Sequence, residues 1–459
     1  MKPDRIGPQK RAIQHLADEL QAHMSLYGYR LIDTPVIDRA DLFLTKAGDR
    51  IAEQLFTFER HGQVWALRPE FTAAAAYLYM TQATPQQPAR WQFSGPVFRD
   101  THLTGSDYQQ YSAGAELIGV AGAAAEAEVI AMAAHGLLKL GIADWRLVIG
   151  HVGLTRRLLE RHQLDPRTQR YILHQRELLR DGDAGRQRLL AQMQTYFPAL
   201  SDDEISYETI DAGEETSAQN VLGAMLATSH NAVTMGGRTR QDIARRLSQK
   251  RRQAAQHTQI EDALNFLVDW MQICNAPQTA LDAIAEHIRT DETAGAMLRD
   301  LGDSLDLLRH YQIPHEQIII QPDLARSWDY YTGTLFEIRT DEDVLLAGGG
   351  RYDELTRLLG AETGTPAFGF AYEVESIARL RPSHDSEPLF YLVIHPDQAE
   401  AAIRWAQMLR LRNVHVALVE TAPDDATVMT TDENGSIILD GRAYTADEVE
   451  RLVTTLRGR

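Results

Sequence analysis

Arg326, the pair Tyr330 and Tyr331, and the run Gly348, Gly349, Gly350 share one short stretch, residues 323–351, reading DLARSWDYYTGTLFEIRTDEDVLLAGGGR. An arginine carries a rigid fork of donors that fits a carboxylate or a phosphate. Strict alternation through the stretch puts Tyr331, Gly333, Leu335 and Glu337 on one face of an expected strand. Tyr330, Thr332, Thr334 and Phe336 fall on the other, so the two tyrosines are expected to serve different faces. The three glycines close the apolar run Val344 to Ala347. Taken alone they read as a turn; beside the arginine and tyrosines they allow a ligand to approach bare backbone. The combination points to an amino-acid site.

The elements that must position these residues follow from periodicity. Pro8 to Tyr27 reads as an amphipathic helix, with Ile13, Leu16, Leu20, Met24 and Tyr27 at helical spacing. Arg30 to Ile37 reads as a strand that contains Pro35, a residue suited to an edge. Phe56 to Glu59 and Gln63 to Leu67 form an expected hairpin around His61 and Gly62, and this hairpin delivers Arg68 and Glu70. Ala121 to Leu140 reads as a helix, Trp145 to Gly150 as a strand, and HVGL opens a helical region. Residues 155–305 are polar and mainly helical, apart from a strand signal at Ile205 to Ile210, and read as an inserted domain. They interrupt a core made of 1–154 and 306–380. A polar break at 381–387 (RPSHDSE) reads as a linker. Beyond it Leu389 to Ile394, Ala399 to Leu411 and Val414 to Val419 suggest a βαβ unit within a small α/β domain, 388–459.

Bulk properties bound the function. A chain of 459 residues with 44% hydrophobic content can bury two or three cores. The opening MKPDRIGPQKRAIQ lacks an apolar stretch long enough for a signal peptide or membrane helix, so a cytoplasmic protein with no membrane partner is expected. The single Cys274 excludes an intramolecular disulfide or a cysteine-rich zinc site and is read as a small apolar packing residue. A formal charge of -18 opposes a polyanion such as tRNA unless a local basic surface overcomes it. The one concentrated basic run, Arg245 to Arg252 (RRLSQKRR), is the candidate for such a surface, and the reading preferred to it is the solvated face of a helix with Ile243 and Leu247 inward.

The pattern R-x-x-D-Y-Y-T-G-T-x-F-E at 326–337, followed by GGGRYDEL at 348–355, resembles the histidine-binding segment of class II histidyl-tRNA synthetases and their paralogues. ALRPEFT at 66–72, GPVFR at 95–99 and GAELIG at 114–119 are similar to further segments of that family, the last two framing its motif 2. The resemblance covers roughly Arg5 to Leu380. It implies an α+β fold, a class II synthetase-like six-stranded antiparallel sheet flanked by helices, with Pro35 at a homodimer interface. The tail is similar to a shortened anticodon-binding domain.

The same resemblance implies the site. Glu70 matches the family position for the ligand ammonium group and Thr72 assists it, Arg326 that for the carboxylate, and Glu116, Tyr331 and Tyr352 positions lining the histidine side chain. A carboxylate facing an imidazole favours its charged form, which would give Glu116 the selectivity. Arg99 matches the arginine of the ATP α-phosphate. Departures gather at the nucleotide end: Ser112 stands for a glutamine at the amino end, Thr101 for a glutamate, SDYQ at 106–109 for a loop with arginines, and Glu373 and Ser376 for a glycine and an arginine. Glu373 is read as a negative charge placed near the γ-phosphate position.

An amino-acid pocket with a dismantled nucleotide pocket is what a sensor needs. The chain is therefore expected to be most similar to the regulatory subunit of short-form ATP phosphoribosyltransferase, which acts in the first step of histidine biosynthesis. GAELIG and IGHVGLTRRLLERHQLDPRTQR at 149–170 are similar to segments of that subunit. The expected site is Glu70, Thr72, Arg99, Ser112, Glu116, Arg326, Tyr330, Tyr331 and Tyr352, with no catalytic residue, cofactor or metal. Expected partners are histidine and the catalytic subunit, with a homodimer inside a hetero-oligomer and no tRNA. The alternatives are a histidine–tRNA ligase and a diverged amino-acid-activating paralogue.

Overall fold

The computed structural model describes residues 8–44, 54–81, 87–100, 108–196, 258–326, 330–381, 389–423 and 426–458. The chain divides into one unit of residues 17–377 and another of 1–16 with 378–459. The first expected helix forms over Pro8–Leu26, and Gly28 follows it at φ 81°. The strands of the first unit are β1 (Arg30–Leu31), β2 (Ile37–Arg39), β3 (Thr57–Arg60), β4 (Gln63–Leu67), β5 (Ala89–Phe98), β6 (Gln109–Ile118), β7 (Arg146–His151), β8 (Ile318–Ile320), β9 (Thr334–Arg339), β10 (Leu345–Arg351) and β11 (Ala367–Glu373).

Eight of these form one sheet in the order β1-β5-β6-β11-β10-β9-β7-β8. The six inner strands are mutually antiparallel, as expected, while β1 and β8 pair in parallel at the two edges. β2, β4 and β3 make a separate three-stranded sheet, and the β3–β4 hairpin turns at His61 and Gly62. The single strand expected over Arg30 to Ile37 is instead two short strands in two sheets. Pro35 lies between them and offers no N–H to continue a ladder.

Cross-strand register divides the large sheet into two unlike faces, because residues directly opposite share a side. One side carries Phe336, Phe370 and Tyr372 against the alanine-rich helix Ala123–Lys139, where the Tyr372 hydroxyl donates to the Ala133 carbonyl at 2.9 Å. The other side runs through rows of small residues: Gly114–Ala371–Gly348 with Phe93 and Glu337 at its ends, then Glu116–Gly369–Gly350. The glycine triplet is thus no turn. It is the middle of β10, paired on both sides, and period two puts Gly349 on the helix side and its neighbours on the bare side.

β9 starts only at Thr334, so alternation does not govern Tyr330 to Gly333. The expectation that the tyrosines serve different faces is therefore corrected: both are buried and their ring centroids lie 4.8 Å apart.

The described part of 155–305 is helical, over Val152–Glu160, Pro166–His174, Gly182–Tyr196, 258–271, Pro277–Ile288 and Glu292–His310. It belongs to the same unit as the sheet, and Ser304 on the last of these helices donates to Glu126 at 3.4 Å. The strand signal at Ile205 to Ile210, the basic run Arg245 to Arg252 and most of the linker lie outside the described residues. Cys274 is exposed, which corrects its reading as a packing residue. Asn275 bridges to Ile320 in extended pairing, so Ile273 turns inward and Cys274 outward.

In the second unit β12 (Phe390–Val393) and β13 (Val416–Val419) pair in parallel through the helix Ala399–Arg410, the expected βαβ unit. β14 (Val428–Thr431), β15 (Ile437–Leu439) and β16 (Arg442–Tyr444) extend it to the order β13-β12-β14-β15-β16, and the helix Val449–Arg457 closes its core.

The glycine run makes a graded prediction. A Cβ on Gly349 would lie 1.9 Å from the Gly369 carbonyl oxygen, which is backbone of a central strand, whereas one on Gly348 would meet the movable Arg326 guanidinium at 1.7 Å. Gly349→Ala should cost at least about 3 kcal/mol in urea unfolding and Gly348→Ala only about 1–2 kcal/mol. Equal losses would show that the strands yield as readily as a side chain.

Candidate functional site

A hollow of about 550 Å³, mouth included, opens over the bare side of the sheet. Gly348, Gly369 and Ala371 belong to its floor; Phe71, Phe93 and Val97 make an apolar wall; Tyr330, Tyr331 and Tyr352 make an aromatic one. Of the nine site residues expected from sequence, eight line it: Glu70, Thr72, Arg99, Ser112, Arg326, Tyr330, Tyr331 and Tyr352. Glu116 does not line it directly. It sits behind Thr72 and Tyr352, whose hydroxyls donate to its two oxygens at 2.6 and 2.5 Å.

Each wall is held by local structure. Glu70 follows the β3–β4 hairpin and accepts from the backbone N–H of Thr72 and, at 2.9 Å, of Ala73, which caps the helix Thr72–Thr81. Burial raises its pKa, against the pull of those two amides. Arg68, delivered by the same hairpin, turns away from the hollow. It donates to the carbonyls of Pro96 and Thr34 and lies over the Phe71 ring.

Arg326 reaches Glu337 at 2.9 Å, and the other oxygen of Glu337 accepts from Arg339 Nε at 2.8 Å. Its own Nε is buried and has no acceptor among the described residues. Arg99 donates through Nε to the Pro69 carbonyl at 2.9 Å, which fixes its stem on the segment that carries Glu70.

Glu116 is 1% exposed; the two hydroxyls are its hydrogen-bond partners among the described residues, and the Gly369 backbone lies close against its carboxyl group. A side chain at position 369 would land 1.6 Å from its oxygen. Burial pushes its pKa up to about 8, the two hydroxyl bonds pull the other way, and the nearby Glu70 adds a smaller upward push. In the unliganded chain burial thus opposes the charged form of Glu116.

Sequence reading missed Phe71, Phe93, Val97 and the floor as parts of the site. The signal for the floor was present as small residues at alternate positions: 348 and 350, 369 and 371, with Gly114 opposite Ala371 on the next strand. Glu373, read only as a charge near the γ-phosphate, lines the hollow itself. Thr101 and residues 106–107 lie outside the described residues. Among the described residues no group of three His, Cys, Asp or Glu could hold a metal, and no helix is long and apolar enough to cross a membrane.

The family model of histidyl-tRNA synthetase matches residues 3–202 and 222–377. The chain is 31% identical over 373 residues to the ATP phosphoribosyltransferase regulatory subunit of Sinorhizobium fredii, covering 76% of this chain and 92% of that protein. It is 26% identical over 366 residues to the histidine–tRNA ligase of Pyrococcus abyssi, covering 78% and 69%. A solved structure titled an ATP phosphoribosyltransferase regulatory subunit/histidyl-tRNA synthetase, from Bacillus halodurans, shares the fold with a TM-score of 0.64. The identity there is 20%, over 93% of this chain and 94% of that one.

The buried carboxyl sets a pH signature. Between its ordinary pKa of 4.5 and about 8 the folded chain keeps a proton on Glu116 that the unfolded chain has lost. Its stabilising contribution is complete below pH 4.5 and is lost as pH rises to 8. In urea unfolding at pH 5.5, 6.5 and 7.5, wild type should lose stability relative to Glu116→Gln, with a one-proton limit of about 1.4 kcal/mol per pH unit. Parallel curves would place the proton elsewhere.

Proposed function

We propose, on the premise that this chain belongs to the histidyl-tRNA synthetase family, that it is a histidine-binding regulatory subunit of a short-form ATP phosphoribosyltransferase. The observation that carries this reading is the charge pattern of the hollow. One end offers three tyrosines with Thr72 and Glu116 behind them, a set of hydroxyl donors and acceptors suited to an imidazole. Arg326 beside it suits a carboxylate. The far end is poor in cations: among the described lining residues only Arg99 and Arg326 are positive, Arg326 is tied to Glu337, and Glu373 adds a negative charge. A triphosphate in transfer needs several cations or metal ions on its oxygens. The hollow therefore favours holding an amino acid over activating it.

Regulatory subunits among the relatives support the partner, a catalytic phosphoribosyltransferase subunit. A homodimer fits the exposed apolar side chains Val36, Ile37, Phe58 and Val64 on and beside the small β2-β4-β3 sheet, near Pro35. Histidine would act by binding two states of the assembly unequally, a coupling typically worth about 5- to 150-fold in affinity.

A second reading, a histidine–tRNA ligase, is favoured by Arg99 lining the same hollow as Glu70 and Arg326, and by ligases among the relatives. Three measurements separate the two. The regulatory reading expects histidine binding in calorimetry, no histidine-dependent exchange of labelled pyrophosphate into ATP, and co-elution with a short phosphoribosyltransferase whose activity then falls when histidine is added. Histidine-dependent exchange would establish the ligase instead, and failure of the two proteins to associate would remove the regulatory role.

A further inference from the structure

The segment that brings Arg326, Tyr330 and Tyr331 to the hollow is gripped from outside the sheet. It begins with a turn after β8, closed by the N–H of Leu324 on the Gln321 carbonyl at 2.9 Å. This turn lies so close over β7 that a Cβ on Gly150 would meet the Gln321 carbonyl oxygen at 2.6 Å. Thr155 donates to the Pro322 carbonyl at 2.9 Å and accepts from the indole N–H of the buried Trp270 at 3.0 Å. Past Arg326, Arg156 donates to the Tyr331 carbonyl.

One grip differs from these bonds to backbone carbonyls. Asp323, three residues before Arg326, has a side chain only 1% exposed, and Arg180 reaches it at 2.7 Å from the short 3-10 helix Arg176–Asp181. The Nε of the same guanidinium donates to Glu177 at 2.7 Å on its own turn. Arg180 therefore has a counter-ion at the surface and does not depend on a buried one. Nor does the turn depend on Asp323, because Leu324 and Thr155 already fix its backbone. Burial raises the pKa of Asp323, and the Arg180 guanidinium opposes that push. A carboxylate buried against one arginine adds little net stability, since its desolvation offsets the attraction. What a rigid fork on a fixed acceptor adds is direction.

We infer that Arg180 is a positioning residue of the amino-acid site: by fixing Asp323 it sets where the Arg326 guanidinium lies over Gly348, and it makes the inserted helices part of that site. The inference rests on the proposed reading of Arg326 as the group that meets a ligand carboxylate, and it names what holds Arg326 in place. Arg180 does not line the hollow. It acts along the chain, through Asp323, Leu324 and Ala325 to Arg326. Its own side chain is partly exposed, so the placement of a buried charge is governed from the helical surface.

The test uses the full-length chain in calorimetry with histidine and with histamine, which keeps the imidazole and ammonium groups and lacks the carboxylate. Arg180→Gln should weaken histidine binding by about 10-fold, the loss expected for one misplaced bond to a charged group, and leave histamine binding unchanged. Arg326→Lys should also weaken histidine alone, and the double variant should bind histidine no more weakly than Arg326→Lys does. If histamine binds too weakly to measure, the double variant decides. If Arg180→Gln does not fold, Arg180→Lys, which keeps the charge and loses the fork, takes its place with the same outcomes. Unchanged histidine affinity, equal weakening of both compounds, or losses that multiply in the double variant would each overturn the assignment. If wild type binds a different amino acid, the histidine reading fails, and the same comparison with that amino acid and its decarboxylated amine decides the role of Arg180. Binding of no amino acid overturns both.

Discussion

Gly348 lets the guanidinium of Arg326 rest on the middle strand of the sheet, and the charges of the hollow are arranged around that contact. A buried arginine is costly unless it is paired, and Glu337 meets it at 2.9 Å from the neighbouring strand in the same cross-strand row. Glu337 in turn holds Arg339, so the guanidinium is fixed on one side by a shared carboxylate. Its Nε finds no acceptor among the described residues. A buried donor left open in this way costs free energy in the empty protein and repays it when an acceptor arrives. The bare floor and the unfinished arginine are thus one feature: without glycine at 348 the guanidinium could not lie where a ligand carboxylate would complete it.

The same low-dielectric floor sorts the acidic residues by what they touch. Glu116 accepts from two hydroxyls, and burial raises its pKa to about 8. Glu70 meets two helix amides, which oppose the upward push of burial. Glu337 meets two guanidinium groups. The sequence gives no hint of these different fates, because each depends on a partner brought from far along the chain: Tyr352 reaches Glu116 across 236 positions. Identical side chains in and around one hollow therefore serve as a buried partner of two hydroxyls, a helix cap and a counter-ion.

What could be read from the chain alone was mostly local. The first helix, the β3–β4 hairpin, the alanine-rich helix and the βαβ unit follow from periodicity and turn chemistry, and the family resemblance brought the six antiparallel strands and eight residues that line the hollow. Tertiary pairing defeated the rest. Gly348 to Gly350 look like a turn until two neighbouring strands are seen on either side of them. Tyr330 and Tyr331 look like opposite faces of a strand that begins only at Thr334. β14, β15 and β16 are three or four residues each, too short for alternation to register. Cys274 looks apolar, yet an extended pairing beside it turns it outward.

The tyrosine segment also ties the hollow to the helices that follow β7. Arg156 donates to the Tyr331 carbonyl at 2.9 Å, the N–H of Val152 to the Gly333 carbonyl at 3.0 Å, and the N–H of Thr332 to the Arg351 carbonyl at 2.8 Å. Arg351 is in turn bonded to Glu126 at 2.5 Å, on the helix that backs the sheet. Residues 330–333 lie between these anchors and outside any strand, so they are held by a few discrete bonds instead of a continuous ladder. A ring bound among Tyr330, Tyr331 and Tyr352 would lie against this segment. Packed interiors transmit a displacement instead of absorbing it, and the helix Val152–Glu160 is the element at the other end of the Arg156 bond. Communication between an amino acid and a distant surface needs an element with two arrangements. In this fold Tyr330 and Tyr331 line the hollow from a segment that lies outside the strand ladder.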